Sequence, residues 1–279
     1  MSSPIFFFDA TNPEMHDAIQ AAQSTFKYFW RELSWERRRI IPALDYAMIK
    51  LPFSETLDGE DEPTVEQMWV TDVDFDGETL HGQLINSPHY LESYQAGDWV
   101  SAPFSDLSDW LINQRDKAYG GFTVQIIRME MSNEERKEHD LAWGLTFPEP
   151  GQIWLEPSGS KGQGGLLSKW FKKAEKAPQT RGLSGFLDHP MCTNVLPTVE
   201  KDLMHNSGLA TQVDDKGWTR LHEEALAGNW GIVRLLVQFG AVIEARTPQG
   251  KTPADLALDI GWSEIANYLR NEAAGEPRR

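Results

Sequence analysis

Three groups of residues in this sequence have types and spacings that could do chemistry. Asp72, Asp74 and Asp76 alternate ahead of Gly77, as carboxylates do in the first half of a calcium-binding loop. The twelfth position of such a loop needs a bidentate carboxylate and here holds Gln83; the eighth, usually apolar, is Thr79. Alternating polarity on both sides instead makes Asp76-Gly77 a hairpin turn. The second group is His222, Glu223 and Glu224. Adjacent carboxylates on a helix point in different directions, and no second histidine lies four residues on, so metal-ligand spacing is missing. The third is Cys192, a lone cysteine that cannot close an internal disulfide and suits a reducing, cytoplasmic setting. The sequence holds no Gly-x-Ser-x-Gly elbow, no phosphate loop and no histidine pair beside a carboxylate. Trp69 and Asp109-Trp110 could line a pocket, although tryptophan in a small domain is more often packing. These absences point away from an enzyme, a metal or a cofactor.

Charge is the next constraint. Residues 1–150 hold 27 acids against 11 bases, so the whole formal net charge of −16 lies in the first half. Between Lys50 and Arg115 there is no base at all, but fourteen acids: Glu55, Asp58, Glu60, Asp61, Glu62, Glu66, Asp72, Asp74, Asp76, Glu78, Glu92, Asp98, Asp106 and Asp109. Such a field repels nucleic acid and anionic lipid and attracts cationic partners, while also favouring solubility. No apolar run is long enough to span a bilayer, and the opening MSSPIFFFDA reads as a first strand rather than a signal peptide.

The C-terminal region repeats itself at an offset of 33 residues, with Gly217 on Gly250, Thr219 on Thr252, Gly228 on Gly261, Ile232 on Ile265 and Leu236 on Leu269. Thr219 can cap a helix, Ala225 and Ala227 are small where paired helices approach, and Gly240 can take the left-handed backbone of a helix C-terminus. This segment, Lys216–Thr247, resembles an ankyrin repeat along its length, with Arg220 in place of the proline of its opening motif. The resemblance implies that His222 ties adjacent repeats by hydrogen bonding. It also implies that Lys216, Trp218, Glu223 and Lys251, at hairpin tips and the exposed side of the first helix, face a protein partner. The following segment recovers the proline as Pro253 but carries Ala254 and Asp255 where Leu and His are usual, as a terminal cap would. Upstream, a degenerate first repeat is expected with a helix around Leu196–His205 and a turn at Asn206–Gly208.

In the first half, Ala18, Ala22, Phe26, Phe29, Trp30 and Leu33 recur at helical spacing, so an amphipathic helix opens the domain. Strands are expected over ALDYAMIKLPF, QMWVTDV, ETLHGQLIN and GDWVSAPF, with SDWLIN a further strand or a turn of helix and GGFTVQIIRMEM a closing β-rich run. The expectation is an α+β domain with a bent antiparallel sheet or small barrel, followed by an all-α ankyrin stack. Glu66–Val70, Gly82–Asn86, Gly97–Val100, Ser108–Trp110 and Gly120–Thr123, together with Ala22, Thr25, Phe26, Phe29 and Trp30, resemble the bacterial YegJ-like domain. That resemblance implies an architecture and no reaction.

The divisions read from sequence are an acidic domain over 1–156, a linker over 157–187 and repeats over 188–279. Within the linker, a Gly/Ser stretch at Ser158–Gly165 should be open to proteases, and LLSKWFKKAEKA forms a basic amphipathic helix suited to docking on an acidic surface rather than to a membrane. The composite expectation is a non-enzymatic, cytoplasmic binding protein. Its most specific form is an immunity or antitoxin-like inhibitor of a basic effector, reached through Glu60, Asp61, Glu62, Asp74 and Asp76 as well as the repeat tips. An adaptor or regulator of a cellular protein is the alternative, and an enzyme with an ankyrin targeting module a third.

Overall fold

The computed structural model describes residues 12–57, 59–157 and 188–275. The opening strand, the basic linker helix and the protease-sensitive stretch expected from sequence lie outside them. Two compact units emerge: one draws on Met1–Phe29 and Arg39–Ala177, the other on Trp30–Arg38 and Pro178–Arg279. Among the described residues no helix is long and apolar enough to cross a membrane.

Helix α1 (Pro13–Glu36) begins where the Asn12 side chain accepts the Glu14 N–H and Pro13 fits the first helical position. Its buried stripe of Ala18, Ala22, Phe26 and Phe29 belongs to the first unit. The stripe packs on a six-stranded antiparallel sheet ordered β4-β3-β2-β1-β5-β6, formed by β1 (Tyr46–Glu55), β2 (Thr64–Phe75), β3 (Thr79–Leu84), β4 (Trp99–Pro103), β5 (Asp109–Gln114) and β6 (Lys117–Gly120). Phe26 meets Phe75 and Phe104, Phe29 meets Trp110, and the Trp110 Nε1–H donates to the Ala22 carbonyl. Among the described residues the sheet is open, with β4 and β6 at its two edges, and of the two forms expected it takes the sheet and not the barrel. The other sheet face, over β1, β5 and β6, is covered by α2 (Phe122–Glu130) and the segment after α3 (Asn133–Trp143), with Met48, Leu111, Ala118, Val124, Leu145 and Phe147 in one core.

Two departures from the sequence reading have clear causes. The closing β-rich run is the end of β6 followed by helix α2. Gly121 turns the chain with a left-handed φ of 72°, and α2 is only nine residues long and rich in aromatic and β-branched residues (Phe122, Val124, Ile126, Ile127), so the run reads as strand. Strand β6 arises because Arg115 and Asp116 both take positive φ, making a two-residue turn of the type usually written Asn-Gly. In β2, alternation changes phase at Asp72 (φ 51°): Met68 and Val70 are buried before it, Val73 and Phe75 after it. This bulge opposes Gly82, where any Cβ would collide with the Thr71 carbonyl and the Val70 side chain.

In the second unit, Trp30–Arg38 joins α4 (Pro190–His205), α5 (Arg220–Leu226), α6 (Trp230–Gln238), α7 (Pro253–Asp259) and α8 (Ser263–Ala273). Helix α4 starts at Pro190, ahead of the expected Leu196, capped by His189 Nδ1 accepting the Met191 N–H. Pro197 looks like a helix start, but it faces solvent within α4, where the carbonyl it frees can be hydrated. The paired helices α5–α6 and α7–α8 recur at the expected offset as an ankyrin-type stack. Trp262 lies flat on the α5–α6 loop, donating to the Leu226 carbonyl over Gly228, whose backbone is left-handed and where a Cβ would overlap the indole.

Candidate functional site

The repeat tips are built locally. Asp214 Oδ1 accepts the backbone N–H groups of Lys216 and Trp218, so one carboxylate shapes the turn that presents both residues. Lys216 is exposed; Trp218 is half-buried, its ring 5.8 Å from that of His222. His222 Nδ1 accepts the Thr219 N–H, which fixes the proton on Nε2 and lets it donate to the Ala245 carbonyl at 3.0 Å. This is the tie implied by the ankyrin resemblance, and burial holds the imidazole pKa below its ordinary value. The equivalent Asp255 closes the same capping box with Thr252 and turns to Arg270 in α8. Lys251 is partly exposed and ion-paired with Asp259 at 2.9 Å.

Glu223 and Glu224 diverge as expected. Glu223 is exposed on α5; Glu224 is buried, its two oxygens sharing Arg38 Nη1 at 3.1 and 3.0 Å, and accepts Asn229 Nδ2 at 2.7 Å. Asn229 Oδ1 in turn accepts the Trp35 Nε1–H, and Trp35 stacks 5.7 Å from His189, which meets the buried Glu32 at 3.0 Å. Arg31 lies 4.9 Å over the Trp262 ring. The end of α1 and the residues after it are thus an integral part of the second unit. Among the described residues, no three His, Cys, Asp or Glu side chains converge as metal ligands would. Cys192 is buried, its thiol pKa pushed up to about 12 first by desolvation and then by Asp188, so it stays a protonated thiol at neutral pH.

In the first unit the acid run divides by role. Glu66 accepts the N–H groups of His89 and Tyr90; Glu55 accepts those of Glu92 and Ser93 together with the Ser93 hydroxyl; Asp98 accepts that of Gln95. These carboxylates hold the long loop between β3 and β4. Asp76 Oδ1 takes the N–H groups of Glu78 and Thr79, completing the hairpin turn that the sequence favoured over a calcium loop. Glu60, Asp61 and Glu62 are exposed in the β1–β2 loop, whereas Asp74 and Asp76 are half-buried beside the β2–β3 turn. Those groups sit at opposite ends of β2, roughly 30 Å apart at ~3.3 Å per residue. That exceeds the ~8 Å screening length several-fold, so they act as two separate charged corners.

Asp109 is set apart from the rest of the run: it is fully buried. Its Oδ1 accepts the N–H groups of Trp110 and Phe122, and its Oδ2 those of Thr123 and the Thr123 hydroxyl. It therefore caps α2 from across the sheet, in place of a local side chain that Gly121 cannot supply. Lys50, its neighbour on β1, donates to the same Thr123 hydroxyl at 3.2 Å and lies 5.2 Å over Trp69. Burial pushes the Asp109 carboxyl up and the Lys50 ammonium down. Trp69 packs against Trp143 and the core beneath α2, and Trp110 packs against α1. The groups around Asp109 tie the start of α2 to β5 and β1, which makes this cluster a packing device.

Trp35, Arg38 and Asn229 were missed from sequence, because Trp35 stands off the apolar stripe of α1 and its partner Asn229 lies 194 residues away. Lys50 carried no local signal, because its partners come from β5 and α2.

Comparison with known proteins falls along the same lines. Residues 12–147 match a family described as an uncharacterised protein conserved in bacteria (DUF2314). An ankyrin repeat protein of Neisseria meningitidis serogroup B is 40% identical over 267 residues, covering 96% of this chain and 97% of its own. Escherichia coli YegJ is 30% identical over 78 residues, 28% of this chain and 51% of YegJ. Mouse protein phosphatase 1 regulatory subunit 27 is 42% identical over 71 residues, 25% of this chain and 40% of that protein.

Proposed function

The chain belongs to the same family as the Neisseria meningitidis ankyrin repeat protein, and from that premise we propose that it works by binding another protein and performs no reaction of its own. The contact is the face of Lys216, Trp218, Glu223 and Lys251. The observation that carries this reading is the Asp214 turn, which fixes the backbone of Lys216 and Trp218 through two N–H bonds and so presents a cation and an aromatic in a preset geometry. Preset aromatic side chains dominate interface energies, because little conformational freedom is lost on contact.

In its most specific form the partner is a basic effector or toxin, and the chain is an immunity or antitoxin-like inhibitor in the bacterial cytoplasm. Support comes from the charge: the corners at Glu60–Glu62 and at Asp74 and Asp76 would draw a cationic protein in. The second reading, an adaptor or regulator, is favoured by the repeat segment's similarity to a phosphatase regulatory subunit.

Association kinetics with a partner captured from the native cell test the specific form. Kon should fall steeply between low and physiological salt while koff changes little. Charge reversal at Glu60, Asp61 and Glu62 should lower kon at low salt, and reversal at Asp74 and Asp76 should add to it independently, since the two corners are screened from each other. A neutral or acidic partner, or a kon indifferent to salt, sinks the inhibitor form and moves the regulator ahead.

A further inference from the structure

The two edges of the sheet are treated differently. Strand β6 is covered: the Ala118 N–H donates to the Thr146 carbonyl, the Thr146 N–H to the Asp116 carbonyl and the Gly120 N–H to the Trp154 carbonyl. Strand β4 has no such cover among the described residues. Its register settles which of its backbone groups are free to pair. The Leu84 N–H donates to the Asp98 carbonyl and the Phe104 N–H to the Glu78 carbonyl, so Asp98, Val100, Ala102 and Phe104 bond toward β3. The N–H and C=O groups of Trp99 and Ser101 therefore point away from the sheet. Pro103, whose missing N–H would also point outward, limits the open stretch.

Natural edges are commonly blunted with lysine, a bulge or a covering loop. Here the indole of Trp99 is 67% exposed, and neither Lys nor Arg occurs from Leu51 to Gln114. Beside the edge stand the acids Asp98, before the strand, and Asp106, past its far end, with Asp76 across β3, 3.8 Å from His81 Nε2. A second copy of the chain would bring these acids onto one another, whereas a cationic strand would be complemented by them.

We propose that β4 is a docking edge that pairs with an extended, lysine- or arginine-bearing segment of the partner, adding a seventh strand through the outward backbone groups of Trp99 and Ser101. The proposal rests on the cationic-partner reading above and names how that partner is held. Backbone pairing supplies the affinity, Trp99 supplies an apolar platform, and the flanking acids select the charge.

The test uses the full chain and a capped peptide of alternating lysine and valine, about ten residues long. The peptide should slow hydrogen exchange at the Trp99 and Ser101 amides, and a glutamate–valine peptide of the same pattern should not. Ser101→Pro removes an outward donor, together with the hydroxyl that meets His81 of β3, and should weaken peptide binding about fivefold, the worth of one hydrogen bond. Ser101→Ala keeps the N–H and should bind as the parent does. Methylating the peptide's backbone nitrogens asks the same question from the other side, should the proline variant misfold. Protection of those amides by neither the peptide nor the captured partner overturns the proposal, as does equal binding by Ser101→Pro. A dimer that protects them without peptide also overturns it, in favour of a second copy. Loss of edge protection with a salt-dependent kon retained defeats this proposal alone; a salt-indifferent kon defeats the reading beneath it.

Discussion

The two units start their helices by contrasting means. In the sheet unit, α2 is capped by Asp109, a residue of β5 thirteen positions upstream. In the repeat unit, Thr219 and Thr252 begin α5 and α7 from within their own turns. Helix α6 shows both strategies at once. Its nominal cap, Asn229, is diverted to Trp35 and Glu224, and Asp188 supplies the missing acceptor to the Gly231 N–H from 43 residues away. A motif can be copied from repeat to repeat only where the interaction is short-range. Wherever a remote side chain takes over, the site is individual to this chain.

The largest effect should follow from removing a remote contact in the repeat unit. Trp35→Ala deletes a buried ring stacked on His189 and orphans Asn229 Oδ1, so the repeat unit should lose about 3–5 kcal/mol. Hydrogen exchange reads this directly: amides such as Leu221 and Ile232 should lose protection while Leu111 and Ile112 keep theirs. Equal loss in both sets would break the assignment of Trp30–Arg38 to the repeat unit. Asp109→Asn is the counterpart in the sheet unit. It strands Lys50 and turns an amide toward three backbone donors, at a cost of about 3 kcal/mol, with the protection pattern reversed.

The smallest effect is a dependence on pH that distinguishes the two repeats. Burial lowers the folded pKa of His222, so the unfolded chain takes up the proton more readily. The stability that His222 contributes is complete above the usual histidine value of 6.5 and declines as pH falls below it. Asp255, lowered chiefly by the Thr252 hydroxyl, keeps its contribution until pH falls below the usual 3.8. Melting of the repeat unit should therefore soften as pH falls below 6.5 in the parent, and His222→Asn should abolish that step. A step that survives the substitution would place its origin elsewhere.

What was legible in the sequence follows the same division. The repeat was visible because Gly217, Thr219 and Gly240 act within a few residues of themselves, and strands β1 to β4 with the β2–β3 hairpin were visible from alternation and the Asp76-Gly77 turn. Helix α2 was not, because Asp109 and Gly121 set its start and its short run of aromatic and β-branched residues reads as strand. The Arg115-Asp116 turn was hidden because Arg115 does not announce positive φ and no glycine accompanies Asp116. The acid run was legible as a field but not as a division of labour: Glu55, Glu66 and Asp98 tie down a loop, and Asp109 is buried in the core.

The central claim is that the repeat tip is a binding surface and not merely a packing contact between Trp218 and His222. Trp218→Ala tests it when partner affinity and thermal stability are measured on the same preparation. The expected result is an affinity loss of about 2 kcal/mol, some thirtyfold, with the melting temperature nearly unchanged. An unchanged affinity with a lowered melting temperature would make Trp218 a structural residue and contradict the account.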